Sequence, residues 1–260
     1  MVRPRNSRIH SCIGSKNSEL VGYSLPVGKI EETLEEDEIV VPVDPQVFPL
    51  ARPISKAPNI LLLGHSYVRD LQNVFSSLVY VTKFDFLPLL NCHPEFRAYP
   101  GSTFLDWHVK GYLHQAVSSL GYYPDIIVLI LGGNDIRVDR VDFNEPNPLH
   151  HILKSLRLFF TLLNGFFPFA KIIFQEVEPR YYGDSGRHYK SLPLNQYSKL
   201  ARVLTRYVRR VKIADGIVSV NSKYTGLLDP SLYKKDGVHL KKVGLLKLWD
   251  CISFSLKKFL

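Results

Sequence analysis

From residue 59 onward the chain alternates short apolar runs with segments whose apolar residues recur every three or four positions; the first 57 residues do neither. Residues 60–63 (ILLL) form an apolar run closed by Gly64, which predicts a buried parallel strand followed by a helix over 67–77. Residues 96–99 predict a second strand, with 78–86 competing for that place. The clearest strand is 125–131 (DIIVLIL), rich in β-branched residues and bounded by Pro124 and Gly132.

Leu149, Ile152, Leu153, Leu156, Phe160 and Leu163 then mark one face of a helix, and 171–177 predicts another strand. Leu194, Tyr197, Ala201, Leu204, Val208 and Val211 recur in steps of three and four, a strong helical signal. Residues 216–220 predict a last strand and 241–257 a final amphipathic helix. Strands alternating with helices indicate a mostly parallel sheet covered on both faces. The expected fold is α/β: a three-layer α/β/α sandwich, flavodoxin-like, around five strands, with its site at their carboxyl ends.

The first 57 residues predict a disordered or extended tail, leaving 58–260 as the domain. An acidic run over 31–38 is followed by prolines at 42, 45, 49, 53 and 58, a composition that resists compact packing. The apolar fragment 39–43 offers one extra strand. No internal repeat is present. The basic, polar start has no apolar signal core, and no run approaches the roughly 18 consecutive apolar residues of a membrane-spanning helix.

Charge and cysteines narrow the picture further. The net charge is +9, yet residues 1–57 carry seven Lys/Arg against eight Asp/Glu, so the positive excess belongs to the domain. Much of it lies in 202–212 and 234–258; it reads as solvated helix faces, with nucleic acid or anionic lipid as the partners such a surface would attract. Cys12, Cys92 and Cys251 are few, odd in number and far apart, which predicts neither a disulfide framework nor a metal site and favours an intracellular, cytoplasmic setting. The Cys92–His93 pair has no second cluster to complete it. His150 and His151, adjacent on a helix, cannot grip a metal as an i, i+4 pair can. The phenylalanines at 159, 160, 166, 167 and 169 are read as core rather than a lipid-binding patch, with 166–169 at a helix end where partial exposure is open.

Three polar clusters follow predicted strands or precede the last helix. Gly64-His65-Ser66 sits at a strand-to-helix turn, where helix amides stabilise negative charge. Gly132-Gly133-Asn134-Asp135 follows the clearest strand; its glycines allow close backbone approach, and Asn134 carries amide donors. Asp135 is expected to fix that turn. Asp236-Gly237-Val238-His239 presents an Asp and a His together, so that the carboxylate can hold the imidazole in one tautomer. Each cluster has an ordinary reading: an N-cap serine, a glycine turn, a polar loop.

Their order resembles the SGNH (GDSL) hydrolase superfamily, from about residue 59 to 260. The resemblance implies Ser66 as nucleophile, with Asp236 and His239 completing a triad. It implies an oxyanion hole from the Ser66 amide, the Gly101 amide in AYPGSTF and the Asn134 side chain. It implies hydrolysis of a small acyl ester, without metal or organic cofactor. His65 stands where the family's motif has aspartate. The GHS, GGND and DGVHL wording is also similar to SGNH-type domains in animal genomes, some tied to non-LTR retroelements. Arg180 and His188, in a long loop after the fourth strand, read first as a surface loop with no catalytic role and second as candidates for substrate contact. The competing reading is an SGNH fold with lost activity that binds nucleic acid, membrane or protein. A nucleotide-binding α/β protein fits poorly, since no G-x-G-x-x-G or P-loop follows the first strand.

Overall fold

The computed structural model describes residues 58–78, 94–137, 139–181, 192, 194–210, 218–221 and 229–259. The expected tail, the competing segment 79–86, Cys12, Cys92, His93 and His188 lie outside them. Strands β1 (Ile60–Gly64), β2 (Pro94–Ala98), β3 (Ile126–Ile130) and β4 (Lys171–Gln175) are described with their side chains. For β5 (Val218–Asn221) the description rests on backbone pairing with β4. Every pair is parallel, in the order β2-β1-β3-β4-β5.

Burial follows that order. In β1 and β3, which have neighbours on both sides, every residue is buried, so a strand covered on both faces reads as an unbroken apolar run. At the edge, β2 is half-buried throughout and opens with Pro94, a residue tolerated at a strand's first position.

The connections set the layers. From β1 the chain crosses one way to β2, and from β3 onward it crosses the other way to β4 and β5. Right-handed crossovers therefore put α1 (Ser66–Leu78) on one face and α4 (His150–Phe166) and α5 (Leu194–Arg210) on the other. Ile60 and Leu62 of β1 and Ile126, Val128 and Ile130 of β3 join the core under α1 and α6 (Lys242–Leu256). The alternate residues Leu61, Leu63, Ile127 and Leu129, equally buried, point to the opposite face. There Phe159 of α4 meets Phe104 and Trp107 of α2 (Phe104–Val109), with ring centroids 5.6 and 6.0 Å apart.

Periodicity did not reveal α2 or α3 (Tyr112–Ser118), each too short to show a repeat. A local signal for α2 exists in Thr103-x-x-Asp106: the Thr103 hydroxyl accepts from the Asp106 N–H and the Asp106 carboxylate accepts from the Thr103 N–H, a reciprocal cap. The phenylalanines divide as their positions at the end of α4 allow. Phe159, Phe160 and Phe167 are buried, but Phe169 is 66% exposed because it sits in the turn after α4.

Gly64, the first residue of the G-H-S cluster, is required by packing. A Cβ there would run into the Ile130 carbonyl oxygen of β3 and lie 2.7 Å from Val68 Cγ2 of α1. The obstructing oxygen is backbone and cannot swing away. Gly64→Ala is expected to destabilise the domain by about 1–3 kcal/mol, seen as a lowered midpoint in chemical denaturation; an unchanged midpoint would contradict this close packing.

Candidate active site

The sheet order decides which loops meet. β1 and β3 are neighbours that lead their helices to opposite faces, so a crevice opens between their carboxyl ends, the switch point of such a sheet. The β1–α1 turn is held from both sides: the Tyr99 N–H donates to the Gly64 carbonyl at 2.9 Å, and the His65 N–H donates to the Ile130 carbonyl at 3.3 Å. Ser66 follows as the first residue of α1, 9% exposed. Its amide belongs to the first turn, where N–H groups have no intrahelical acceptor and the helix end is electropositive.

Gly101 lies just after β2 with φ +78°, a left-handed conformation that suits glycine, and a Cβ there would meet nothing within 4 Å. Its neighbour Ser102 ties this loop to Asn134: the Asn134 Nδ2 donates to the Ser102 carbonyl at 3.1 Å. The glycines before Asn134 have separate tasks. Gly132 adopts φ +99°, while a Cβ on Gly133 would lie 2.9 Å from Arg180 Nη2. Asp135 does not act as expected on its own turn alone. Its Oδ1 accepts from the Phe104 N–H at 3.1 Å, so it anchors the start of α2, and burial pushes its pKa up to about 7.

Asp236 and His239 face each other directly. The Oδ1 of Asp236 accepts from the Val238 and His239 N–H groups, both at 2.9 Å, and its Oδ2 lies 2.7 Å from His239 Nδ1. Desolvation pushes Asp236 upward, but the bonds from the His239 amide and ring and the Val238 amide outweigh it and hold the carboxyl below the usual range. With Nδ1–H directed at the carboxylate, Nε2 is the basic nitrogen. Two bonds fix the loop. The Tyr67 hydroxyl, one residue from Ser66, donates to the Val238 carbonyl, and the Tyr181 N–H donates to the Gly237 carbonyl at 2.7 Å.

His65 is buried, its Nδ1 accepting from the Tyr67 N–H at 3.4 Å, and its Nε2 is without a partner among the described residues. Burial, then the charges of Arg180 and His239, lower its pKa to about 3. The residue in the aspartate position is therefore neutral near pH 7.

Arg180, half-buried after β4, donates from Nη2 to the Asn134 Oδ1 at 2.9 Å, with its guanidinium over the Tyr197 ring at 5.7 Å. The sequence offers this position as a candidate for substrate contact beside the ordinary reading of a surface loop, and neither includes its contact with Asn134, which joins residues 46 apart. His150 and His151 stand with ring planes 83° apart, and among the described residues no three His, Cys, Asp or Glu side chains are grouped to hold a metal ion. No helix among them is long and apolar enough to cross a membrane.

No family model and no curated protein sequence matches the chain. Solved structures do. A candidate acylhydrolase from Bacteroides fragilis is 17% identical, with a TM-score of 0.56 over 81% of this chain and 92% of its own. A carbohydrate esterase family 3 protein from Talaromyces cellulolyticus is 17% identical, with a TM-score of 0.53 over 78% of this chain and 97% of its own. A candidate arylesterase from Agrobacterium tumefaciens is 14% identical, with a TM-score of 0.53 over 78% of this chain and 100% of its own. The fold of this chain is the SGNH/GDSL hydrolase fold.

Proposed function

We propose that the chain is a serine esterase that cleaves small carboxylic esters through an acyl-enzyme on Ser66. The observation that carries this reading is the 2.7 Å pairing of Asp236 with His239 in a loop tied by Tyr67 to the helix that Ser66 begins. The esterases and acylhydrolases among the structural neighbours support the same class of reaction.

In this mechanism Ser66 Oγ attacks the acyl carbon while its proton passes to His239 Nε2, and Asp236 steadies the imidazolium. The carbonyl oxygen gains the negative charge and is received by the Ser66 and Gly101 amides and the second Nδ2 proton of Asn134. Collapse breaks the ester bond, and the alcohol leaves with the proton from His239. Water then adds to the acyl-enzyme with His239 as base, releasing the acid and restoring Ser66.

The test is hydrolysis of p-nitrophenyl acetate by the wild type and by Asn134→Ala. The expected result is measurable turnover in the wild type and a kcat lower by ~10²–10³ in the variant, the usual cost of one oxyanion donor. Turnover unaffected by Asn134→Ala would remove Asn134 from the hole.

One observation favours a second reading, an anionic partner bound on the basic surface. Helix α5 exposes Lys199, Arg202, Arg206, Arg209 and Arg210 and contains no acid. Salt-sensitive binding of RNA by a folded protein without esterase activity, unchanged by Ser66→Ala, would favour that reading.

A further inference from the structure

Asn134 has two amide protons and one carbonyl oxygen, so its amide can be set in either of two orientations. Its surroundings enforce a choice. The Ser102 carbonyl, an acceptor, faces one side and takes a proton from Nδ2 at 3.1 Å. The Arg180 guanidinium, a donor with no acceptor capacity, faces the other and gives a proton to Oδ1 at 2.9 Å. Turned by 180°, the amide would set oxygen against oxygen and N–H against N–H. We propose that Arg180 is a positioning residue for the oxyanion asparagine, fixing the Asn134 amide so that its second proton meets the charge formed in ester hydrolysis.

The proposal rests on the serine esterase reading and adds a residue to it. Arg180 is itself held by three constraints. Its guanidinium lies over the Tyr197 ring. Gly133 leaves the room that a side chain would take from Nη2. The next residue, Tyr181, donates its N–H to Gly237 in the Asp236–His239 loop. One short segment thus touches both the donor of the oxyanion hole and the loop of the base.

The chemistry favours arginine here. The planar fork of arginine can donate to Oδ1 while its guanidinium lies over the Tyr197 ring, a pair of contacts that a lysine ammonium does not reproduce. A fixed cation on Oδ1 also polarises the amide and strengthens the N–H that remains. Arg180 does not touch the reacting atoms in this account; it acts through Asn134.

The experiment is a double-mutant cycle on p-nitrophenyl acetate with Arg180→Met, Asn134→Ala and the pair, with melting curves to verify folding. Arg180→Met is expected to lower kcat by about 10- to 100-fold, less than the full loss of the donor, with little change in KM. In the Asn134→Ala background the same change is expected to cost less than about 3-fold. Arg180→Lys, which keeps the charge without the fork, is expected to recover part of the loss. If Arg180→Met does not fold, the cycle is run with Arg180→Lys and judged by the same comparison. An equal cost in both backgrounds, or an effect confined to KM, overturns the positioning role while leaving the esterase reading intact. A folded wild type that turns over no ester and accepts no phosphonate overturns both.

Discussion

Ser66→Ala is expected to lower ester turnover by about 10⁶ in kcat, the scale on which a hydrolase loses its nucleophile. The prediction is this large because the proposed route has no second nucleophile. His239 and Asp236 can still activate water, but water in that position lacks the fixed placement of a side chain at the start of α1. The change removes one hydroxyl, and the helix it begins is anchored by Tyr67, Val68, Leu71 and Val74 in the core. The variant should therefore melt within a few degrees of the wild type. A folded Ser66→Ala protein with more than a hundredth of the wild-type kcat would require another attacking group.

Asp236→Asn should cost about 10⁴ in kcat, although it alters a single atom's chemistry. The carboxylate has two duties. Its Oδ1 accepts the Val238 and His239 amides, and its Oδ2 receives His239 Nδ1–H. An asparagine can keep the first duty by setting its carbonyl toward the two amides. Its NH₂ group then faces Nδ1, which must become the acceptor. The ring proton moves to Nε2, and the nitrogen that should take the serine proton already carries one. The loop geometry survives and the base is lost. Kinetics on a small ester, with folding verified by circular dichroism, check this directly; a loss below tenfold would mean that Asp236 does not set the tautomer.

Both predictions use residues that the sequence presents in the open. The central strands are legible because strands buried on both faces leave no polar alternation, as ILLLG and IIVLI show. The G-H-S, G-G-N-D and D-G-V-H clusters are legible because each is contiguous and next to an element boundary. What escaped is contact between distant segments. The Asn134 bonds to Ser102 and Arg180 span 32 and 46 residues and arise only when the sheet order sets the ends of β3, β4 and β2 along one edge. Asp135 looks like a turn former locally, and only the folded chain shows its carboxylate on the Phe104 amide. The ionisation of His65 was equally hidden, since its neutrality comes first from burial and then from the charges of Arg180 and His239. Helices α2 and α3 are too short for a periodic signal, and Phe169 sits in a turn where apolar identity does not imply burial.

The most direct test of the central claim is labelling of the purified protein with a fluorophosphonate, which bonds to a serine only when a base activates it and an oxyanion hole receives the phosphoryl oxygen. The wild type is expected to be labelled, and Ser66→Ala and His239→Ala are expected to take up no label. A well-folded wild type that takes up no label, or label that persists in Ser66→Ala, would contradict the assignment of Ser66 as an activated nucleophile.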